Sequence, residues 1–164
     1  MLVVSNTSPL CYLVAVGCDE LLAKLFDEIL IPPGVAQELA DPGAPFVVQR
    51  WVAQPPAWLR IVRLQSLPDK ELISNLDGGE CEAIQLSMEL KADFLIMDER
   101  KGRSIAQARG IPFLGALGIL GTSYQRALID QPLKILDEMR QHGFRISIDL
   151  LTGFEILLRT RYAR

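Results

Sequence analysis

Short apolar runs recur along this chain at intervals too long for hairpins, and each is followed by a segment with helical spacing. That alternation constrains the fold more than any other feature. Leu2-Val3-Val4-Ser5 leads into Asn6-Thr7-Ser8-Pro9, a turn-and-cap cluster that launches a helix with Pro9 at its first position. Leu21, Leu22, Leu25 and Phe26 mark one face of a helix over Asp19 to Phe26. Ile29-Leu30-Ile31 then reads as a strand before Pro32-Pro33, with a helix from Pro33 to about Leu39. Phe46 to Gln54 has helical spacing. Leu59 to Leu64 alternates like an edge strand with one wet face, and a polar connection follows through Pro68 and Asp69. Beyond it come a helix from Gly79 to Ala92, a buried strand at Phe94-Leu95-Ile96-Met97, and a polar helix from Glu99 to Arg109 closed by Gly110. A short strand at Pro112-Phe113-Leu114, a helix from Ala116 to Arg126, and an all-helical stretch after Pro132 complete the chain. Strands alternating with helices predict an α/β sandwich on a parallel sheet with right-handed crossovers.

Length and composition agree with one such unit. The 164 residues suit a single domain, 1–164, in which 121–164 is a helical C-terminal extension, and 49% apolar with 23% charged residues is an ordinary globular balance. The longest nearly uncharged stretch, Leu2 to Cys18, is interrupted by Asn6, Thr7, Ser8 and Pro9 and lacks a basic leader. It reads as neither a membrane span nor a secretory signal, and a cytoplasmic location is expected. Cys11, Cys18 and Cys81 form no C-x-x-C pair, which argues against a disulfide framework or a structural zinc site. With His142 the sole histidine, His-rich zinc sites and paired-histidine catalysis are excluded within one chain, and a Ser-His-Asp triad would have to use that residue. Chemistry without an organic cofactor then falls to oxygen ligands and a hard cation.

Charge is divided along the chain. Up to Glu99 there are 15 acidic and 6 basic residues, and from Arg100 onward 5 acidic and 11 basic. An acidic metal pocket beside a phosphate-binding surface needs such a split, although a chance distribution over a solvated surface produces it too. In open parallel sheets functional groups lie beyond the C-terminal strand ends, which draws attention to Asn6 after the first strand and Asp98 after the fourth. Glu38 lies on the helix after the second strand. Glu80 occupies the first turn of its helix, where the dipole favours a carboxylate in any case. If these groups converge, carboxylates about 4 Å apart repel by roughly 4 kcal/mol at an effective dielectric near 20, so the cluster calls for protonation or a divalent cation.

The order of these segments carries a resemblance. Leu2 to Leu10, Ile31-Pro32 with Val35-Ala36-Gln37-Glu38-Leu39, Gly79-Glu80-Cys81-Glu82-Ala83-Ile84, and Ala92-Asp93-Phe94-Leu95-Ile96-Met97-Asp98-Glu99-Arg100-Lys101-Gly102-Arg103 resemble PIN-domain proteins. The likeness is greatest to the branch related to VapC-type toxin nucleases, and it runs from Met1 to about Leu120. The resemblance implies a three-layer sandwich of helices around a central, mainly parallel sheet, whose gathered acids bind magnesium or manganese and cleave RNA. By position, Asn6 stands for the first aspartate of that family, with Glu38, Glu80 and Asp98 as the second, third and fourth acids. Glu82 is an alternative or helper to Glu80, although an offset of two faces another direction on a helix. Glu99 reads either as an outer acid or as a solvent-facing one. Thr7 and Ser8 match a hydroxyl pair that helps orient the metal water, or serve as helix caps.

Asn6 departs from the family pattern. It keeps an oxygen ligand, loses a charge and adds an amide donor, which predicts weaker metal binding and slower cleavage. Two functional readings follow: a Mg2+- or Mn2+-dependent endoribonuclease acting as the toxin of a toxin–antitoxin pair, or a catalytically weak PIN-like module that binds RNA or a protein partner. A nucleotide-binding α/β domain is disfavoured because no G-x-G-x-x-G or P-loop follows any expected strand. Arg100, Lys101, Arg103 and Arg109 read as phosphate contacts or as a solvated helix face, and Arg159, Arg161 and Arg164 as further substrate contacts or a soluble end. The expected partners are RNA, a small antitoxin and a second copy of the chain. Leu13, Val14, Trp51 and Val52 are the apolar helix residues considered for a dimer face.

Overall fold

A computed structural model describes residues 1–159. Its central sheet has five strands, all parallel, in the order β3-β2-β1-β4-β5: β1 (Val3–Ser5), β2 (Ile29–Ile31), β3 (Leu59–Ile61), β4 (Phe94–Ile96) and β5 (Phe113–Leu114). Val3 pairs with Ile29 on one side and with Phe94 on the other, so β1 runs through the middle of the sheet. Every residue of β1 and β2 is buried, as strands covered on both faces must be, and this is why they read as continuous apolar runs in the sequence. The chain first moves outward from β1 to β2 and β3, then returns to lay β4 on the opposite side of β1. This reversal opens a crevice between the C-terminal ends of β1 and β4.

Among the described residues ten helices flank the sheet in a three-layer α/β arrangement: α1 (Thr7–Ala15), α2 (Glu20–Phe26), α3 (Pro33–Ala40), α4 (Phe46–Ala53), α5 (Lys70–Asn75), α6 (Gly78–Leu90), α7 (Arg100–Ala108), α8 (Ala116–Gln125), α9 (Pro132–Gln141) and α10 (Ile148–Arg159). The longest, α6, packs on β1 and β4 and against α3, while α9 and α10 both pack on α8. Among the described residues no helix is long and apolar enough to cross a membrane.

Four sequence expectations need correction. Helix α1 starts at Thr7, so Pro9 sits at its third position, where the missing N–H is one the helix would leave unpaired anyway. The edge strand is only three residues long. Val62 still donates to the Ile31 carbonyl, but Ile61 is half exposed and the chain peels away. The polar connection contains α5, whose one buried side chain, Leu72, is too little to give a periodic signal. The stretch after Pro132 is not helical throughout: α9 and α10 are separated by residues 142–147, where Gly143 takes a φ of +97°.

The apolar residues considered for a dimer face belong to the core instead: Leu13, Val14 and Val52 are buried, and Trp51 donates its indole N–H to Asp19 at 2.8 Å. Cys81 is buried and Cys11 and Cys18 are half-buried, all as free thiols.

Arg109 is engaged within the fold. At the C-terminal end of α7 its guanidinium holds Asp69 at 2.6 Å and Glu71 at 2.7 Å, tying α5 to the domain and drawing the Asp69 carboxyl down to about 2. We expect Arg109→Ala to leave RNA binding unchanged while hydrogen exchange in Asp69–Leu76 quickens. Weakened RNA binding with no change in that segment would contradict this assignment.

Candidate functional site

The crevice between β1 and β4 collects most of the polar residues expected of a site. Asn6 follows β1 directly and is 2% exposed, with its backbone N–H donating to the Ile96 carbonyl at 2.9 Å. Its side-chain amide donates to Glu99 Oε2 at 3.1 Å, which leaves Asn6 Oδ1 buried and without a partner among the described residues. Asp98 follows β4 on the adjacent side. Its Oδ1 accepts the Ala116 N–H at 2.9 Å at the start of α8, while Oδ2 is buried and unpartnered. Burial, with the Glu99 charge adding to it, pushes the Asp98 carboxyl up to about 6 despite the Ala116 N–H and the nearby Arg103.

Two further acids meet at the N-terminus of α6. Glu38, carried in by α3, accepts the Gly79 N–H at 2.9 Å and a hydrogen bond from the Thr7 hydroxyl. Glu80 turns back to accept the Asp77 N–H at 3.3 Å. Burial raises the Glu80 carboxyl above its ordinary value, and the charges of Glu99, Asp77 and Glu38 act in the same direction, which places these carboxylates within electrostatic reach of one another. Without a cation, the backbone amides and dipole of α6 offset part of that repulsion.

Glycine makes this packing feasible at two places. A Cβ at Gly79 would lie 2.5 Å from Glu38 Oε2, and one at Gly115 would lie 2.7 Å from Asp98 Oδ1. Each carboxylate therefore occupies volume that any larger residue would fill. Gly79→Ala is expected to displace Glu38 and to weaken Mn2+ binding about tenfold with the fold retained, measured by calorimetry beside a melting curve. Unchanged affinity would show that Glu38 takes no part in binding.

The remaining expected residues separate by contact. Thr7 and Ser8 cap nothing with their side chains: the Thr7 hydroxyl binds Glu38 and the Ser8 hydroxyl binds Glu99. Glu99 thus faces into the crevice, joined to both Asn6 and Ser8. Glu82 does not accompany Glu80; it accepts the Gly34 N–H at 2.7 Å and anchors the start of α3, the helix that carries Glu38. On α7, Arg100 and Lys101 are exposed, whereas Arg103 lies half-buried over the Phe113 ring at 5.8 Å and within electrostatic reach of Asp98. His142 is exposed at the C-terminal cap of α9, so no Ser-His-Asp triad is formed. Arg159 is exposed at the end of α10, and Arg161 and Arg164 lie outside the described residues. Sequence reasoning missed Gly79 and Gly115. A glycine directly before an expected helical acid, or at the expected start of a helix, was the available signal.

Among the described residues no three His, Cys, Asp or Glu side chains stand close enough to share one ion, because Glu38 and Glu80 are turned to amides. What stays open is a pair of oxygens with no hydrogen-bond partner, Asn6 Oδ1 and Asp98 Oδ2, at neighbouring strand ends. An oxygen-only donor set with few protein ligands suits a hard divalent cation that retains several waters.

A doubly wound parallel sheet with Asn6, Asp98 and Glu99 at its reversal point defines the class, an α/β protein with a polar crevice where the strand order turns. The family model described as PIN domain matches residues 2–158, and the chain belongs to that family. No curated protein matches the chain.

Proposed function

We propose that this PIN-domain protein is a metal-dependent endoribonuclease, the toxin of a toxin–antitoxin pair. The observation that carries the proposal is the two buried, unpartnered oxygens at the β1/β4 crevice, Asn6 Oδ1 and Asp98 Oδ2, with Glu99 acting on both residues and Glu80 within electrostatic reach of Glu99. An unpaired carboxylate oxygen costs free energy in the interior, and a cation would offset that cost.

In this reading Asp98 and Asn6 would hold Mg2+ or Mn2+ directly, with Glu38 and Glu80 leaving their amide partners to complete its shell or to bind its waters. The cation supplies a water of lowered pKa and charge neutralisation on the phosphodiester. Glu99 accepts from the Asn6 amide nitrogen, which leaves Oδ1 as the atom free to take a cation; Ser8 fixes Glu99, and Thr7 fixes Glu38. Arg100, Lys101 and Arg103, beginning two residues after Asp98, would hold phosphates of the RNA strand. A small inhibitor protein and a second copy of the chain are the partners proposed with it. Phe46 and Val47 on α4, and Ile148 and Ile156 on α10, are exposed apolar side chains that such partners would cover.

Incubation of the purified protein with single-stranded RNA, with and without EDTA, tests the proposal. Cleavage that needs the cation and is lost in Asp98→Ala supports it. RNA that binds but stays intact under all metals would instead support the binding-module reading, for which Asn6 is the specific motive.

A further inference from the structure

The C-terminal helices build one wall of the crevice. Helix α9 ends in a Schellman turn: the Gly143 N–H donates to the Arg140 carbonyl at 3.0 Å and the Phe144 N–H to the Met139 carbonyl at 3.1 Å, with Gly143 at a φ of +97°. This turn fixes the next two residues. Phe144 is buried with its ring edge-on to Tyr12, centroids 5.2 Å apart, and Tyr12 stands one helical turn after Ser8 on α1. Arg145 therefore emerges at the mouth of a cavity of about 290 Å³ that it lines together with Ser8, Tyr12, Asp98, Glu99 and Phe144. Among the described residues Arg145 has no hydrogen-bond or ion-pair partner, although Asp98 and Glu99 share its cavity. The Tyr12 hydroxyl lies where the charges of Glu99, Asp98 and Arg145 are all felt.

We propose that this cavity is a nucleotide subsite of the RNA strand, in which Arg145 takes the phosphate next to the scissile one and Tyr12 lines the space for its sugar. The inference rests on the nuclease reading and adds a contact to it. Arg103 acts electrostatically on Asp98 and Arg145 shares the cavity that Asp98 lines, so a strand entering this crevice meets both cations. An unpaired guanidinium beside an acidic crevice suits a bidentate phosphate contact, which repays its desolvation better than a lone exposed charge would. Asp98, whose Oδ2 is buried without a hydrogen-bond partner among the described residues, also lines the cavity.

The test is fluorescence anisotropy with a fluorescein-labelled single-stranded RNA carrying phosphorothioate linkages, in magnesium buffer, across a salt series. Arg145→Ala is expected to weaken binding roughly 3- to 10-fold and to reduce the slope of log K against log salt by about 0.7, the share of one phosphate on a single strand. Arg145→Lys should retain most of the slope. Arg60→Ala, which removes a charge paired with Glu28 at 3.1 Å, should change neither quantity. Melting curves matching the parent protein establish that an exposed-residue variant has not unfolded. Parent protein that binds RNA, with Arg145→Ala binding equally well, overturns the subsite alone. Parent protein that binds no RNA overturns the subsite and the nuclease reading together. An acidic peptide that binds the parent but not Arg145→Ala, while RNA binding is unaltered, would assign the cavity to a protein partner and overturn the nucleotide subsite.

Discussion

Asp98→Asn is expected to abolish metal-dependent RNA cleavage, lowering it by at least about 100-fold, and yet to raise the melting temperature of the metal-free protein at pH 8. The sign follows from burial. A carboxyl raised from 3.8 to about 6 in the folded chain contributes stability that is fully present below pH 4 and is lost as the pH rises through 6. Two pKa units correspond to at most about 3 kcal/mol, which for a domain of this size is roughly 5–10 °C in melting temperature. Asparagine keeps an oxygen for the Ala116 N–H but carries no charge to desolvate. Melting in EDTA at pH 5 and pH 8 checks this, with the larger gain at pH 8 and roughly half of it already present at pH 5. Mn2+ should then stabilise the parent more than the variant at pH 8. A variant less stable than the parent at both values would mean that the Asp98 charge is compensated within the fold.

The second large effect is expected at Asn6. Asn6→Asp replaces an amide that donates to Glu99 at 3.1 Å with a second carboxylate facing the first. At that separation the Coulomb repulsion is about 5 kcal/mol at an effective dielectric near 20, and relaxation of the exposed side of Glu99 leaves a loss of about 2 kcal/mol in metal-free stability. A cation reverses the sign. With Mn2+ saturating, the variant should regain the lost stability, bind the metal more tightly and cleave RNA faster than the parent. Paired melting curves with and without Mn2+ provide the measurement. A variant as stable as the parent in EDTA would show that the Asn6–Glu99 bond is not maintained in solution.

The central strands were legible from sequence for a single physical reason: burial on both faces leaves β1, β2 and β4 apolar apart from Ser5. Against that background Asn6 and Asp98 stand out where each run stops. Glu38 and Glu80 required the family resemblance, because an acid in a helical first turn or on a helix flank has ordinary explanations. The uses of Glu99 and Arg109 depend on contacts with Ser8 and Asp69, 91 and 40 residues away, which no local pattern encodes. Helix α5 was illegible because a six-residue helix with one buried side chain has no period to detect. The break between α9 and α10 was marked by Gly143, yet helical spacing on both sides concealed it. Arg145 was missed for a related reason: it gains meaning only once the Schellman turn folds it back over α1.

Crystals soaked in Mn2+ and measured for anomalous scattering test whether the crevice between β1 and β4 binds a divalent cation through Asn6 and Asp98. The expected result is a peak shared by Asn6 Oδ1 and Asp98 Oδ2, with Glu38 or Glu80 turned from its amide toward it. A protein that cleaves RNA in the same Mn2+ concentration yet shows no peak there, or one at other residues, would contradict it.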